Sequence, residues 1–108
     1  MKIINRGFIQ VKPKQNFIDW AIQIEPDLLM DTDSEATLYL VEEDFWDDEQ
    51  IIKKYALKIW KQECQSICEE NELWPSINDA LEVGNYFDFD LGCTVIDLLN
   101  ESIQSEKI

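Results

Sequence analysis

Apolar and polar positions along this 108-residue chain change period several times, and each change marks an element. Residues 7–12, Gly-Phe-Ile-Gln-Val-Lys, predict a strand, which Pro13 ends because it has no N–H to give a ladder. Asn16 then predicts a helix cap, with Asp19 three residues on reaching back to it. Phe17, Trp20, Ala21 and Ile24 follow at helical spacing, and Pro26 stops that helix. Residues 27–35 read as a polar, acidic loop, and residues 36–41, Ala-Thr-Leu-Tyr-Leu-Val, as a second strand. A long helix is expected over about residues 47–71, with acids in its first turn where the helix dipole favours them. Ile52, Tyr55, Ala56, Ile59, Trp60 and Ile67 fall on one arc of it, and Lys54, Lys58 and Lys61 on the opposite, solvated face. Trp74-Pro75 closes this region. Ser76 with Asp79 repeats the capping pattern and opens a short helix to about Val83, ended by Gly84-Asn85. Phe87, Phe89 and Leu91 alternate with Asp88 and Asp90 and predict a strand, with a bulge or turn at Gly92. Residues 93–99 satisfy both patterns: Thr94, Val95 and Ile96 favour strand, while Val95, Leu98, Leu99 and Ser102 fit a helix. Strand is preferred, with a frayed tail after Asn100.

The resulting order is β-α-β-α-α-β(-β). Three to four strands and three helices suit an α+β fold, a small antiparallel sheet covered on one face, in a single domain spanning residues 1–108. A chain of this length buries only about 60–70% of its unfolded surface, so its aromatic and aliphatic residues are mostly needed for the core. A hydrophobic content of 45% separates it from disordered acidic tails.

Charge narrows the classes of function. There are 23 acidic and 9 basic residues and no histidine, giving a net charge of -14. Lys2, Arg6, Lys12 and Lys14 form a basic island free of acid, and Lys53, Lys54, Lys58 and Lys61 a second. Residues 15–52 and 62–106 carry acids alone. The first island is placed to neutralise a buried carboxylate. So negative a surface repels phosphate, which argues against direct nucleic-acid binding and against anionic membranes. No apolar run is long enough to span a bilayer, and the N-terminus lacks the apolar core of a signal peptide. A cytoplasmic location is expected. The three cysteines fit it, since an odd number in a small chain is no disulfide framework.

The series Lys12-Pro13-Lys14, Phe17, Asp19-Trp20, Thr37-x-Tyr39-Leu40, Tyr55, Trp60, Glu63, Glu72-x-Trp74-Pro75 and Val95-x-Asp97-Leu98 resembles a family of small acidic bacterial proteins, hypothetical proteins of unknown function. The resemblance runs from about residue 12 to residue 98. It departs at residues 84–90, where that family is more helix-like and this chain reads as strand. It implies a compact bacterial α+β domain and carries no catalytic residue with it.

Without histidine, Ser-His-Asp and Cys-His catalysis are impossible, and the commonest metal ligand is missing. The three glycines are isolated, so there is no phosphate-binding loop. Cys64 and Cys68 sit four apart on the long helix, and Cys93 lies near the sheet. They lack the C-x-x-C spacing and fourth soft ligand of a zinc site and read as buried free thiols. Asp31, Asp33, Glu35 and Glu42 echo calcium-loop spacing, but Ala36 stands where glycine makes the turn and a strand follows. No cofactor and no metal are expected.

Glu63 stands out because its helical angle puts it inside the apolar arc, where a carboxylate must be paired, hydrogen-bonded or neutral. It reads as an acceptor for a Trp or Tyr donor, or for Lys14 or Arg6, in preference to a catalytic acid or base. Asp97, in an apolar run, is a weaker buried-polar candidate. Phe45 and Trp46 sit between Glu42-Glu43-Asp44 and Asp47-Asp48-Glu49. Phe45 reads as a staple at the start of the long helix, and Trp46 as a partner anchor whose acidic neighbours steer a basic surface toward it. The leading expectation is a non-enzymatic domain that binds another protein through Glu42, Glu43, Asp44, Trp46, Asp47 and Asp48. The alternatives are a nucleic-acid-mimicking inhibitor of a DNA- or RNA-binding protein and a carboxylate-based enzyme centred on Glu63. The lysine stripe on the long helix interrupts the continuous negative face a mimic needs.

Overall fold

The computed structural model describes residues 1–32 and 36–108. The chain is an α+β fold with strands β1 (Lys2–Ile4), β2 (Gly7–Pro13), β3 (Thr37–Val41), β4 (Phe87–Gly92) and β5 (Val95–Asp97). Helices α1 (Gln15–Ile24) and α2 (Asp48–Ile67) lie between them, with 3-10 segments at Asn71–Leu73 and Ala80–Asn85. β2 is central in an antiparallel sheet of order β3-β2-β4. Its inward positions Gly7, Ile9, Val11 and Pro13 are buried and the intervening ones only half-buried, as period-2 alternation requires of a sheet covered on one face. Pro13 stands at the strand end opposite Phe87, where a missing N–H costs least.

β1 and β5 form a second antiparallel pair. Both are three residues long, too short to show a period, which is why β1 goes unseen in the sequence. The pair continues the β2–β4 ladder. Ile4 faces Val95 and Phe8 faces Gly92, so residues 5–7 oppose only 93 and 94. Pairing is interrupted on both strands there, which separates the β1–β5 pair from the three-stranded sheet beside Gly92.

The core is one cluster in which Ile9, Val11, Val41 and Phe87 of the sheet meet Phe17 of α1 and Ala56, Ile59, Trp60 and Cys64 of α2. Aromatic contacts tie the layers together: Phe17 to Phe87 at 4.6 Å and Trp60 to Tyr86 at 4.9 Å between ring centroids. Two other tryptophans act through their indole N–H groups. Trp74 donates to the Cys68 carbonyl at the end of α2 (2.7 Å), and Trp20 donates to the Leu73 carbonyl (2.9 Å).

Several boundaries differ from expectation. α1 begins at Gln15, without a side-chain cap. Asn16 lies inside the helix and donates instead to the Asn85 carbonyl. α2 ends at Ile67, four residues short of the predicted end, because Cys68 turns to extended backbone. The predicted third helix is the 3-10 segment Ala80–Asn85. Its capping box joins Asp79 to Glu82, so Asp79 is the cap and Ser76 is not. Residues 98–108 form no helix or strand.

Candidate functional site

The acidic segment after β3 is held from three sides. Glu42 turns back onto α2, where its carboxylate accepts from the Lys54 ammonium (2.6 Å) and the Tyr55 hydroxyl (2.5 Å). Those two hydrogen bonds hold the Glu42 carboxyl down at about 2, with the Lys54 contact the larger cause, and both partners are shifted up in return. Phe45 is half-buried against the core, its ring edge above Gly7 at the start of β2. Asp47 caps α2 by accepting the N–H groups of Glu49 (3.0 Å) and Gln50 (3.4 Å). Between these fixed points Trp46 is 100% exposed, with Glu43, Asp44 and Asp48 exposed around it. A shallow notch of about 280 Å³ adjoins it, floored by Phe45 and Ile51 and edged by Asp44 and Asp47.

Glu42 is therefore occupied within the fold, and the exposed acids beside Trp46 are Glu43, Asp44, Asp47 and Asp48. The same engagement takes Glu42 out of the rejected calcium pattern. Asp33 and Glu35 of that pattern lie outside the described residues. Lys58 and Lys61 are exposed on α2.

A second site lies between β3 and the C-terminal half of α2. Glu63 is half-buried there. One carboxylate oxygen accepts from the Tyr39 hydroxyl at 2.6 Å, and the other lies 3.5 Å from the Thr37 hydroxyl. Burial pushes the Glu63 carboxyl up, and the two hydroxyl donors pull it part of the way back. Tyr39 is pushed up in turn, first by burial and then by its bond to Glu63. The tyrosine donor is the partner expected. The expected lysine or arginine is not: Lys14 donates to the Gly84 carbonyl (2.7 Å) and lies 3.7 Å from Asp88, while Arg6 folds onto Asn5. Lys14 precedes α1 beside the 3-10 segment at 80–85, which is where its side chain goes. Asp97 is half-exposed on β5 and accepts the Leu99 N–H at 2.9 Å, a local turn contact in place of a buried one.

Glu63 opens onto a cleft of about 540 Å³ with polar groups from Gln62, Ser66, Thr37 and Tyr39 and apolar wall from Phe17 and Met30. Among the described residues no aspartate or second glutamate lines it. Glu63 is thus the acidic side chain that the described residues bring to this cleft, with the Tyr39 and Thr37 hydroxyls beside it. The cysteines are dispersed: Cys64 is buried, with its thiol pushed up to about 12 by burial and then by neighbouring Glu63, Cys68 is half-buried and Cys93 exposed. Among the described residues no group of three or more Cys, Asp or Glu is placed to hold a metal ion, and no helix is long and apolar enough to cross a membrane.

Tyr39 and Thr37 are site residues that the sequence reading does not single out, and Tyr55, placed on the apolar arc of α2, is not paired there with Glu42. Inward parity along β3 puts Thr37, Tyr39 and Val41 on one face, which is the available signal for Thr37 and Tyr39. Comparison of the chain with known protein families, with curated proteins and with solved structures finds no significant match.

Proposed function

We propose that this protein is a non-enzymatic binding domain that docks a basic surface of another protein through residues 42–49, with Trp46 as the anchor. The observation that carries the reading is a fully exposed tryptophan on a segment whose neighbours are fixed. Exposing an indole forgoes about 1.5–3 kcal/mol of burial, the scale of a fully buried large apolar side chain. Pinning at Glu42, Phe45 and Asp47 lowers the ordering cost of binding, because the backbone on either side of the anchor is already placed. Exposed Glu43, Asp44 and Asp48 set a negative rim that steers a cationic partner. Lys53, Lys58 and Lys61 are exposed along α2, so acid is not continuous from this segment onto the helix.

The test is affinity capture from the source organism with the wild-type chain, Trp46→Ala and the double variant Asp44→Asn/Asp48→Asn, quantified by mass spectrometry. A direct partner is depleted by both variants, and raising the salt weakens its capture by wild type. A partner retained equally by all three proteins and at high salt overturns the reading.

A further inference from the structure

The cleft at Glu63 is separate from the Trp46 surface, since it lies toward the opposite end of α2, which is about 30 Å long. Three features of it point to a ligand. Glu63 is half-buried, yet among the described residues no lysine or arginine reaches it; the ion pairs there are Lys14–Asp88 and Lys54–Glu42. Its carboxylate is oriented by the hydroxyls of Tyr39 and Thr37, which hold one oxygen each. A carboxylate has about four acceptor positions, so two stay available after those bonds. The cleft around it pairs that acceptor with apolar wall from Phe17 and Met30. A fixed anion at one end and hydrocarbon along the side match a cation carried on an apolar stem.

We propose that this cleft binds an alkylammonium group, with the ammonium on Glu63 and the stem along Phe17 and Met30. An anion is excluded by the Glu63 charge. An uncharged alcohol gains the wall contact but leaves the carboxylate without a counter-ion. The same chemistry is presented by a free primary amine and by a lysine side chain, and the two are separable by experiment. The inference stands apart from the Trp46 reading, and neither depends on the other.

The test is an NMR shift titration of the full chain at neutral pH with n-hexylammonium chloride, n-hexanol and Nα-acetyl-lysine methylamide. Hexylammonium is expected to give saturable shifts at Tyr39, Gln62 and Met30, with binding in about the millimolar range for so small a probe. Glu63→Gln keeps an acceptor for the Tyr39 hydroxyl and preserves the fold. It should weaken hexylammonium about tenfold or more, the scale of one lost charge-assisted hydrogen bond. Asp90→Asn, an exposed acid on β4, removes the same unit of charge elsewhere and should leave binding unchanged. Tighter binding of the lysine derivative than of hexylammonium identifies a peptide lysine as the source, and the reverse order identifies a free amine. Equal weakening by Glu63→Gln and Asp90→Asn overturns the proposal, because the net charge alone then attracts the amine. So does hexanol binding as well as hexylammonium, or no saturation by either amine.

Discussion

The Tyr39–Glu63 contact sets a tyrosine hydroxyl against a half-buried carboxylate, and its worth can be isolated by replacing Tyr39 with Phe. The substitution removes a 2.6 Å hydrogen bond and leaves Glu63, among the described residues, with the 3.5 Å Thr37 hydroxyl as its remaining side-chain donor. A hydrogen bond to a charged group contributes about 1.5–3 kcal/mol. Glu63 keeps part of its surface in water, which replaces some of the lost bond, so the expected cost at neutral pH is about 1–2 kcal/mol. With a urea m-value of about 2 kcal/mol/M, the midpoint falls by about 0.5–1 M. Acidification should shrink that cost. Burial raises the folded pKa of Glu63, so the native state holds its proton at a pH where the unfolded chain has released it. The stability from neutral Glu63 is complete below its ordinary value and is lost as pH rises through the raised one. Phe at position 39 raises it further and deepens the loss at neutral pH. Near pH 4, where Glu63 is mostly neutral in both proteins, about 0.5–1.5 kcal/mol remains, the value of an uncharged hydrogen bond. Replacing Glu63 with Leu in the Tyr39→Phe background removes both polar partners, and a double-mutant cycle should return a coupling of about 1–2 kcal/mol. Urea unfolding of the four proteins at the two pH values decides the matter. An equal cost of Tyr39→Phe with and without Glu63, unchanged by pH, refutes the argument.

Three further outcomes are expected. All three glycines have ordinary negative φ, so contacts decide their substitution. At Gly7 a Cβ meets the Glu42 carbonyl oxygen at 2.8 Å and the Gly92 carbonyl oxygen at 3.0 Å, both backbone, and Gly7→Ala should cost about 1–3 kcal/mol. At Gly84 a Cβ meets nothing within 4 Å, and Gly84→Ala should stabilise by about 0.4–1 kcal/mol; thermal unfolding ranks the two, and equal effects contradict the contact geometry. In thiol titration with Ellman's reagent, exposed Cys93 should react at once, while Cys64, buried and with its thiol pushed up to about 12, should react only at the rate of unfolding. Fast labelling of Cys64 in the native protein would show that the core opens locally. Finally, Glu42 is depressed to about 2, so its contribution is present above the ordinary glutamate value and lost as pH falls from there through about 2. Glu42→Gln should flatten the acid limb of the stability profile in that window, and an unaltered acid limb would mean that the Lys54 and Tyr55 contacts add nothing in solution.

The fold was readable where an element is long enough to repeat. Seven residues of β2 show their inward face without ambiguity, and the alternation of Phe87, Phe89 and Leu91 places β4 in the same way. On α2 the expected arc holds at Ala56, Ile59 and Trp60, but Ile51 is the buried residue of the first turn, and Ile52, Tyr55 and Ile67 are only half-buried at its edges. β1 and β5 are not readable by that means, because three residues complete no pattern; they exist through pairing with each other. Caps are equally local choices decided elsewhere. Asn16 has the right chemistry to cap α1, but the Asn85 carbonyl lies within its reach, and the helix starts at Gln15, with Lys14 in the cap position two residues before Asn16.

Periodicity reports which side of an element meets the core, and it does not report which residue waits there. Glu63 was visible as a carboxylate on an apolar arc, but its partner is Tyr39, 24 residues away on a strand whose placement depends on β2. Glu42 shows the converse. In sequence it is one acid in a run, indistinguishable from Glu43. In the fold it follows the buried Val41 at the end of β3, where Lys54 and Tyr55 come within hydrogen-bonding distance. The run thereby divides into an acid that fixes the segment and acids that face water. That division gives the exposure of Trp46 its meaning. A tryptophan on a loose acidic loop would be unremarkable, since such a loop can fold its indole away at little cost. Here Phe45 on one side is packed over Gly7 and Asp47 on the other caps α2, so the backbone that carries Trp46 is fixed, and the indole stays in water.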